Sequence, residues 1–118
     1  MHLAVVRFEL HLPQSRSLKE KRAVVKPIVE GLRNRFSLSV AEVGYQDKWQ
    51  RCLVGLAVVS ETPRHLTEVV DTVERWVWSR PQVEVTAFER QTAAWDDGAW
   101  DDGAWDDGAW DDGDLGHA

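Results

Sequence analysis

Apolar residues along this chain recur first at every second position, then at helical spacing, then at strand spacing twice over, then at helical and strand spacing once more, and few folds accommodate that succession. Residues 3–12 open it. Ala4, Val6, Phe8, Leu10 and Leu12 fall on one side of an extended segment and Val5, Arg7, Glu9 and His11 on the other, the pattern of a half-buried strand that Pro13 ends. Ser17-Leu18-Lys19-Glu20 then has the form of a capping box, in which the Ser hydroxyl and the Glu carboxylate satisfy free amide donors at a helix start. Leu18, Val25, Ile28, Val29, Leu32 and Phe36 continue at helical spacing. Pro27 falls inside this helix, where it removes a hydrogen bond, so a kink near residues 23–27 is expected; the stripe stays in phase across it, which argues for one helix. Residues 38–45 and 51–59 are rich in Val, Leu and Ala and predict two strands joined by the polar loop of residues 46–50. Thr62-Pro63 supplies a cap and a first-turn proline, Leu66, Val69, Val70, Val73, Trp76 and Val77 make a second helical stripe, and Val83 to Phe88 alternates as a last strand.

The order β-α-β-β-α-β predicts an α+β domain of ferredoxin-like type, a four-stranded antiparallel sheet with two helices on one face and the other face open. That domain is expected to span residues 1–92. Residues 93–118 are a different polymer, because Ala94-Trp95-Asp96-Asp97-Gly98 is repeated as 99–103, 104–108 and 109–113. A period of five matches neither helix nor strand, so Trp95, Trp100, Trp105 and Trp110 share no face of either, and the density of like charge opposes collapse. A disordered acidic tail is expected. The formal net charge of −6 therefore combines two opposite parts: residues 1–93 set fourteen Lys and Arg against eleven acids, a net of +3, and residues 94–118 hold nine Asp and no base. Opposite signs on a domain and its tail suggest control of a partner or masking of a basic face. Cys52 is the only cysteine and lies in an apolar run, which predicts a buried, inert thiol and no disulfide. Arg7 and Glu9 break the N-terminal apolar stretch, and no segment reaches the roughly 18 apolar residues that span a bilayer, so a soluble cytoplasmic protein is expected.

The chemistry-bearing residues concentrate on the first helix. Arg16, Lys19, Arg22, Lys26 and Arg33 are spaced so that four can share one stripe, with Lys21 and Arg35 expected to widen it, and only Glu20 and Glu30 oppose them. Solvated charges on a helix are ordinary; a ridge of this kind also suits the phosphates of a nucleic-acid backbone. Base stacking on the sheet is not expected, since the outward positions of the first strand are Val5, Arg7, Glu9 and His11, and the third strand has no aromatic. Trp49, in the polar loop beside Arg51, either stacks on a base or folds back as a lid on the core, and Arg51 has Asp47 as a candidate ion-pair partner. His11 and Glu9 lie two apart on one strand and read as a structural pair, with no nucleophile beside them. Cys/His spacing for a metal is absent, and neither a cofactor nor an enzymatic activity is expected.

Several spaced motifs resemble one family. His11-Leu12-Pro13, Ser15, Ser17-Leu18-Lys19, Lys21-Arg22, then Arg33-Asn34-Arg35-Phe36, Ser39-Val40-Ala41-Glu42-Val43 and Gln46-Asp47 with Trp49-Gln50-Arg51 look like the YlxP-like family of small bacterial proteins, over roughly residues 1–91. The resemblance implies a ferredoxin-like fold. It also implies a role around the small ribosomal subunit, because members tend to be encoded beside translation initiation and ribosome maturation factors. Pro27 and the pentapeptide repeats depart from the family pattern. The expectation is thus a non-enzymatic module that binds RNA or the small ribosomal subunit through Arg16, Lys19, Lys21, Arg22, Lys26, Arg33, Trp49 and Arg51. The tail, through its aspartates and the four repeat tryptophans, is expected to mask the basic helix. The alternative is a protein-interaction or self-assembly module, a homodimer for example, using the open sheet face or the edge strand of residues 38–45.

Overall fold

The computed structural model describes residues 1–95, and the alternation of apolar residues appears in it as burial. The chain runs β1 (His2–His11), α1 (Leu18–Phe36), β2 (Ser39–Gly44), β3 (Arg51–Ser60), α2 (Pro63–Trp78) and β4 (Glu84–Ala94). The sheet order is β2-β3-β1-β4 with every neighbour antiparallel, the ferredoxin-like arrangement. β1 is central, so its whole inward row of Ala4, Val6, Phe8 and Leu10 is buried, with Leu12 just beyond it. Val25, Ile28 and Leu32 from α1 and Leu66, Val70, Val73 and Val77 from α2 close the core over that face. The opposite face carries the outward residues of β1 and no helix.

Local chemistry explains where the elements start and stop. Ser17 caps α1, its hydroxyl accepting from the Glu20 amide at 3.1 Å, and Glu20 accepts in return from the Arg16 amide at 3.0 Å. Ser37 ends α1 in the left-handed region, at φ 53°, with its N–H on the Arg33 carbonyl. Thr62 caps α2 by accepting from the His65 amide. α1 runs unbroken across Pro27. Proline removes the bond to Ala23, but both residues are exposed, so the freed carbonyl meets solvent.

The last strand is longer than its hydrophobic pattern. Alternation fades after Phe88, yet β4 stays paired to β1 up to Ala94 opposite His2, and the Trp95 amide donates to the Met1 carbonyl at 2.7 Å. The strand therefore absorbs the first residue of the first repeat, two residues past the boundary expected at 92. Trp95 roots the acidic segment. The expected disorder, and Trp100, Trp105 and Trp110, lie outside the described residues. Among the described residues no helix is long and apolar enough to cross a membrane.

Candidate nucleic-acid interface

With about 100° between successive helical residues, Lys19, Arg22, Lys26 and Arg33 fall in a sector of α1 about 60° wide, roughly 120° from the buried stripe. All four are exposed, as is Arg16 just before the helix. The ridge lies on the β2 side of α1, since the Arg33 guanidinium donates to the Val40 carbonyl at 2.8 Å. The other flank faces α2, where a Cβ on Gly31 would stand 2.8 Å from Trp76 Cη2. Arg35 belongs to that flank and not to the ridge: its guanidinium sits 5.8 Å from the Trp76 ring, which Arg80 covers from 4.2 Å.

Among the described residues none of the ridge cations is ion-paired, a property shared with Arg35, Lys48, Arg75 and Arg80; the ridge differs in gathering five such cations along one side of α1. Arg7, Arg51, Arg64 and Arg90 each have a carboxylate within 4 Å, as does the buried Lys21. Among the described residues Arg16, Lys19, Arg22, Lys26 and Arg33 have none, and Glu30, four residues after Lys26, stays unengaged. Charge is also unevenly distributed. Residues 16–36 hold seven bases and two acids, a net of +5, whereas the rest of residues 1–95 holds seven bases and nine acids, a net of −2. The positive excess of the domain is confined to α1 and its N-terminal flank.

Lys21 is the clearest correction. It is 2% exposed, donating to Glu42 at 2.9 Å and to the Tyr45 carbonyl at 2.6 Å, so it cannot meet a phosphate. It lies four residues before Val25 and seven before Ile28, in phase with the apolar stripe, and its tip reaches the β2–β3 hairpin. Cys52, in the same cluster, is buried as expected and donates to Glu42 at 3.3 Å. Burial first, and the Glu42 charge next, push its thiol pKa up to about 12, so it stays protonated at neutral pH.

Arg51 is not a free cation either. Its partner is not Asp47 but Glu9, at 3.0 Å, and it stacks on the Tyr45 ring at 3.9 Å. Glu9 also accepts from Thr86 at 3.0 Å, so its same-strand neighbour His11 pairs instead with Glu84, directly across the β1–β4 ladder, at 3.1 Å. Trp49 is 54% exposed and is no lid on the core. Gln50 beside it donates to the Pro13 and Ser15 carbonyls, which holds the hairpin against the loop leading into α1, and Trp49 itself lines a shallow depression with His11, Lys48 and Arg51. An exposed indole of this kind can offer a stacking platform for an unpaired base.

The Glu9 carboxylate gives a first test. The hydrogen bond from Arg51, outweighing burial, holds its pKa below the usual value. A carboxyl with a lowered folded-state pKa stabilises the fold above its unfolded value, and that contribution disappears as pH falls through the folded one. Glu9→Gln is therefore expected to lower the denaturation midpoint at neutral pH and to flatten its fall on acidification from about pH 7 to about pH 3, measured by urea unfolding.

One device on the β2 edge was not anticipated. The Val40 carbonyl takes Arg33 and the Glu42 carbonyl takes Gln46 Nε2 at 3.4 Å, so side chains already occupy alternate acceptors of this edge strand. Strand addition there is blunted. A cleft of about 520 Å³ between the loop after β1, α1 and residues 81–84 has Glu20 and Glu84 as its charged lining, and the Ser15 hydroxyl in it donates to the Ser17 carbonyl, not to a base. Among the described residues no three His, Cys, Asp or Glu side chains are grouped to hold a metal ion.

Comparison with known proteins follows the same span. The family described as a protein of unknown function (DUF503) matches residues 3–90. The uncharacterized protein YlxP of Bacillus subtilis (strain 168) is 43% identical over 70 residues, covering 59% of this chain and 76% of that protein. Among solved structures, the de novo designed protein Foldit4 aligns with TM-score 0.47 at 14% identity over 81% of this chain and 100% of its own. The designed ferredoxin-fold protein LFR1 1 aligns with TM-score 0.43 at 11% identity over 81% of this chain and 93% of its own.

Proposed function

The chain belongs to the DUF503 family of proteins of unknown function, and from that premise we propose that it is a non-enzymatic cytoplasmic module that holds RNA, on the small ribosomal subunit or a precursor of it, against the exposed ridge of α1. The observation that carries this reading is the clustering of Arg16, Lys19, Arg22, Lys26 and Arg33, none with a carboxylate partner among the described residues, along one exposed side of α1 on a domain whose remaining surface is net acidic. Along α1 the stretch from Lys19 to Arg33 covers about 21 Å at 1.5 Å per residue, room for several backbone phosphates. Trp49 on the β2–β3 hairpin adds an exposed stacking surface, and the absence of exposed aromatics on β1 and β3 argues against base stacking on the sheet. Recognition of this kind follows shape and backbone charge more than sequence.

The test is direct binding of the full chain to purified small ribosomal subunits and to a single-stranded RNA of about 20 nucleotides, at low and moderate salt. Expected is association at about 50 mM salt that weakens at least tenfold by about 300 mM, as counterion release requires. No association at low salt, or equal affinity at both, overturns the reading.

A second reading, self-association, has one observation in its favour: Val5 and Val59 are 51% and 64% exposed on the uncovered sheet face. It moves from the residue 38–45 edge to that face, given the occupied carbonyls of β2. A concentration-dependent dimer in sedimentation, without RNA binding, is its signature.

A further inference from the structure

We propose that residues 96–118 of this same chain dock along the α1 ridge and compete there with an anionic polymer, an inference that rests on the ridge being the binding surface. Three observations converge on it. The segment carries all nine of its charges as aspartate, with a tryptophan before each of its Asp pairs. The ridge is the one region of the described domain with a positive excess, while the rest, at seven bases to nine acids, repels an acidic chain. The root of the segment lies at the matching end of the molecule.

That last point follows from register. Ala94 of β4 and Ser60 of β3 both pair with His2, and Ser39 of β2 pairs with Ala57 near the same sheet end. α1 starts near the far end of β1 and runs back, so Arg33 and Phe36 finish at the end where Trp95 bonds Met1. From β4 to β2 the sheet spans three strand spacings, about 14 Å. The ridge adds about 21 Å along α1. Twenty-three residues reach at most about 76 Å when extended, so the segment spans both with half its length in hand.

Its chemistry fits the ridge pairwise. Adjacent aspartates present two carboxylates to neighbouring cations such as Arg22 and Lys26, and the intervening Trp100, Trp105 and Trp110 offer faces to guanidinium groups. Tethering supplies an effective concentration of about millimolar, so weak individual contacts suffice for occupancy. High salt and a polyanion longer than the ridge both displace the segment.

The experiment compares the full chain with a full-length variant in which all nine tail aspartates are asparagine. At about 50 mM salt, the backbone amide resonances of Lys19, Arg22, Lys26 and Arg33 are expected to differ between the two chains and to converge when salt is raised about tenfold, as screening requires. With oligouridylate as the probe, the variant is expected to bind about tenfold more tightly at low salt, and about equally at high salt. Identical ridge resonances, or shifts confined to β4 and the sheet, overturn the docking whatever the RNA result. Ridge shifts in a protein that binds no oligouridylate in either form leave the docking standing and remove the RNA-binding reading, so the two failures are told apart.

Discussion

Lys21→Met is expected to lower the stability of the domain by about 3–5 kcal/mol, although the exchange replaces a charged side chain by an apolar one of similar length. The ammonium of Lys21 is the common partner of the Glu42 carboxylate and the Tyr45 carbonyl. Among the described residues Tyr45 is one of two non-glycine residues with positive φ, at 57°, so the lysine bond helps hold a strained corner of the hairpin. Without it, a carboxylate only 26% exposed keeps just the weak S–H donor of Cys52, and a carbonyl loses its short bond. Removing one member of a buried pair costs more than removing both, because the survivor's desolvation is no longer offset. Lys21→Met combined with Glu42→Leu is accordingly expected to recover most of the loss. Urea denaturation of the three proteins measures it: a single variant within about 1 kcal/mol of wild type, or a double variant no better than the single, contradicts the account.

The same residue shows where sequence patterns carry and where they stop. Apolar alternation in β1 and the helical stripes are local, and burial follows them. Lys21 is polar, so it reads as solvent-facing, although its spacing to Val25 and Ile28 places it inward. Glu42 shares parity with the buried Val40 on β2. Two charges of opposite sign, each in phase with a hydrophobic row, were a legible signal that a buried pair joins helix to strand. Cross-strand partners depend on register, which no local pattern contains. His11 meets Glu84 because the two face each other across the β1–β4 ladder about 5 Å apart, whereas Arg51, which faces His11 on β1, reaches diagonally to Glu9 with its long side chain. β4 extended further than its pattern because an edge strand with polar residues on both sides leaves no hydrophobic period to read. Its Arg90 shares parity with Phe88, turns inward and bridges Asp71 and Glu74 of α2 at 2.7 Å each. The exposed cations needed no register, and the ridge was therefore legible except for Lys21 and Arg35.

Charge reversal on that ridge is expected to move stability and binding in opposite directions. Arg22 has Lys19 three residues before it and Lys26 four after it, so the ridge is built of like charges at spacings that cost a helix a few tenths of a kcal/mol per pair. Lys19 also stands in the first turn, where the helix dipole disfavours a cation. Lys19→Glu with Arg22→Glu removes the cation from the first turn and turns the 22–26 repulsion into an attraction, while the 19–22 pair stays like-charged, and a surface of this kind tolerates the exchange within about 0.5 kcal/mol per site or gains slightly. Binding to RNA responds the other way. Each cation lost from a single-stranded contact removes about 0.7 from the slope of log affinity against log salt, and two losses plus the repulsion of two carboxylates are expected to weaken binding about a hundredfold at 50 mM salt. Paired measurement decides between a phosphate ridge and an ordinary solvated helix. Unfolding midpoints held or raised, with affinity for small subunits and oligouridylate lost, are the mark of a surface that sacrifices helix stability to hold an anion. Unchanged affinity in the doubly reversed chain means that the charges are solvated and nothing more.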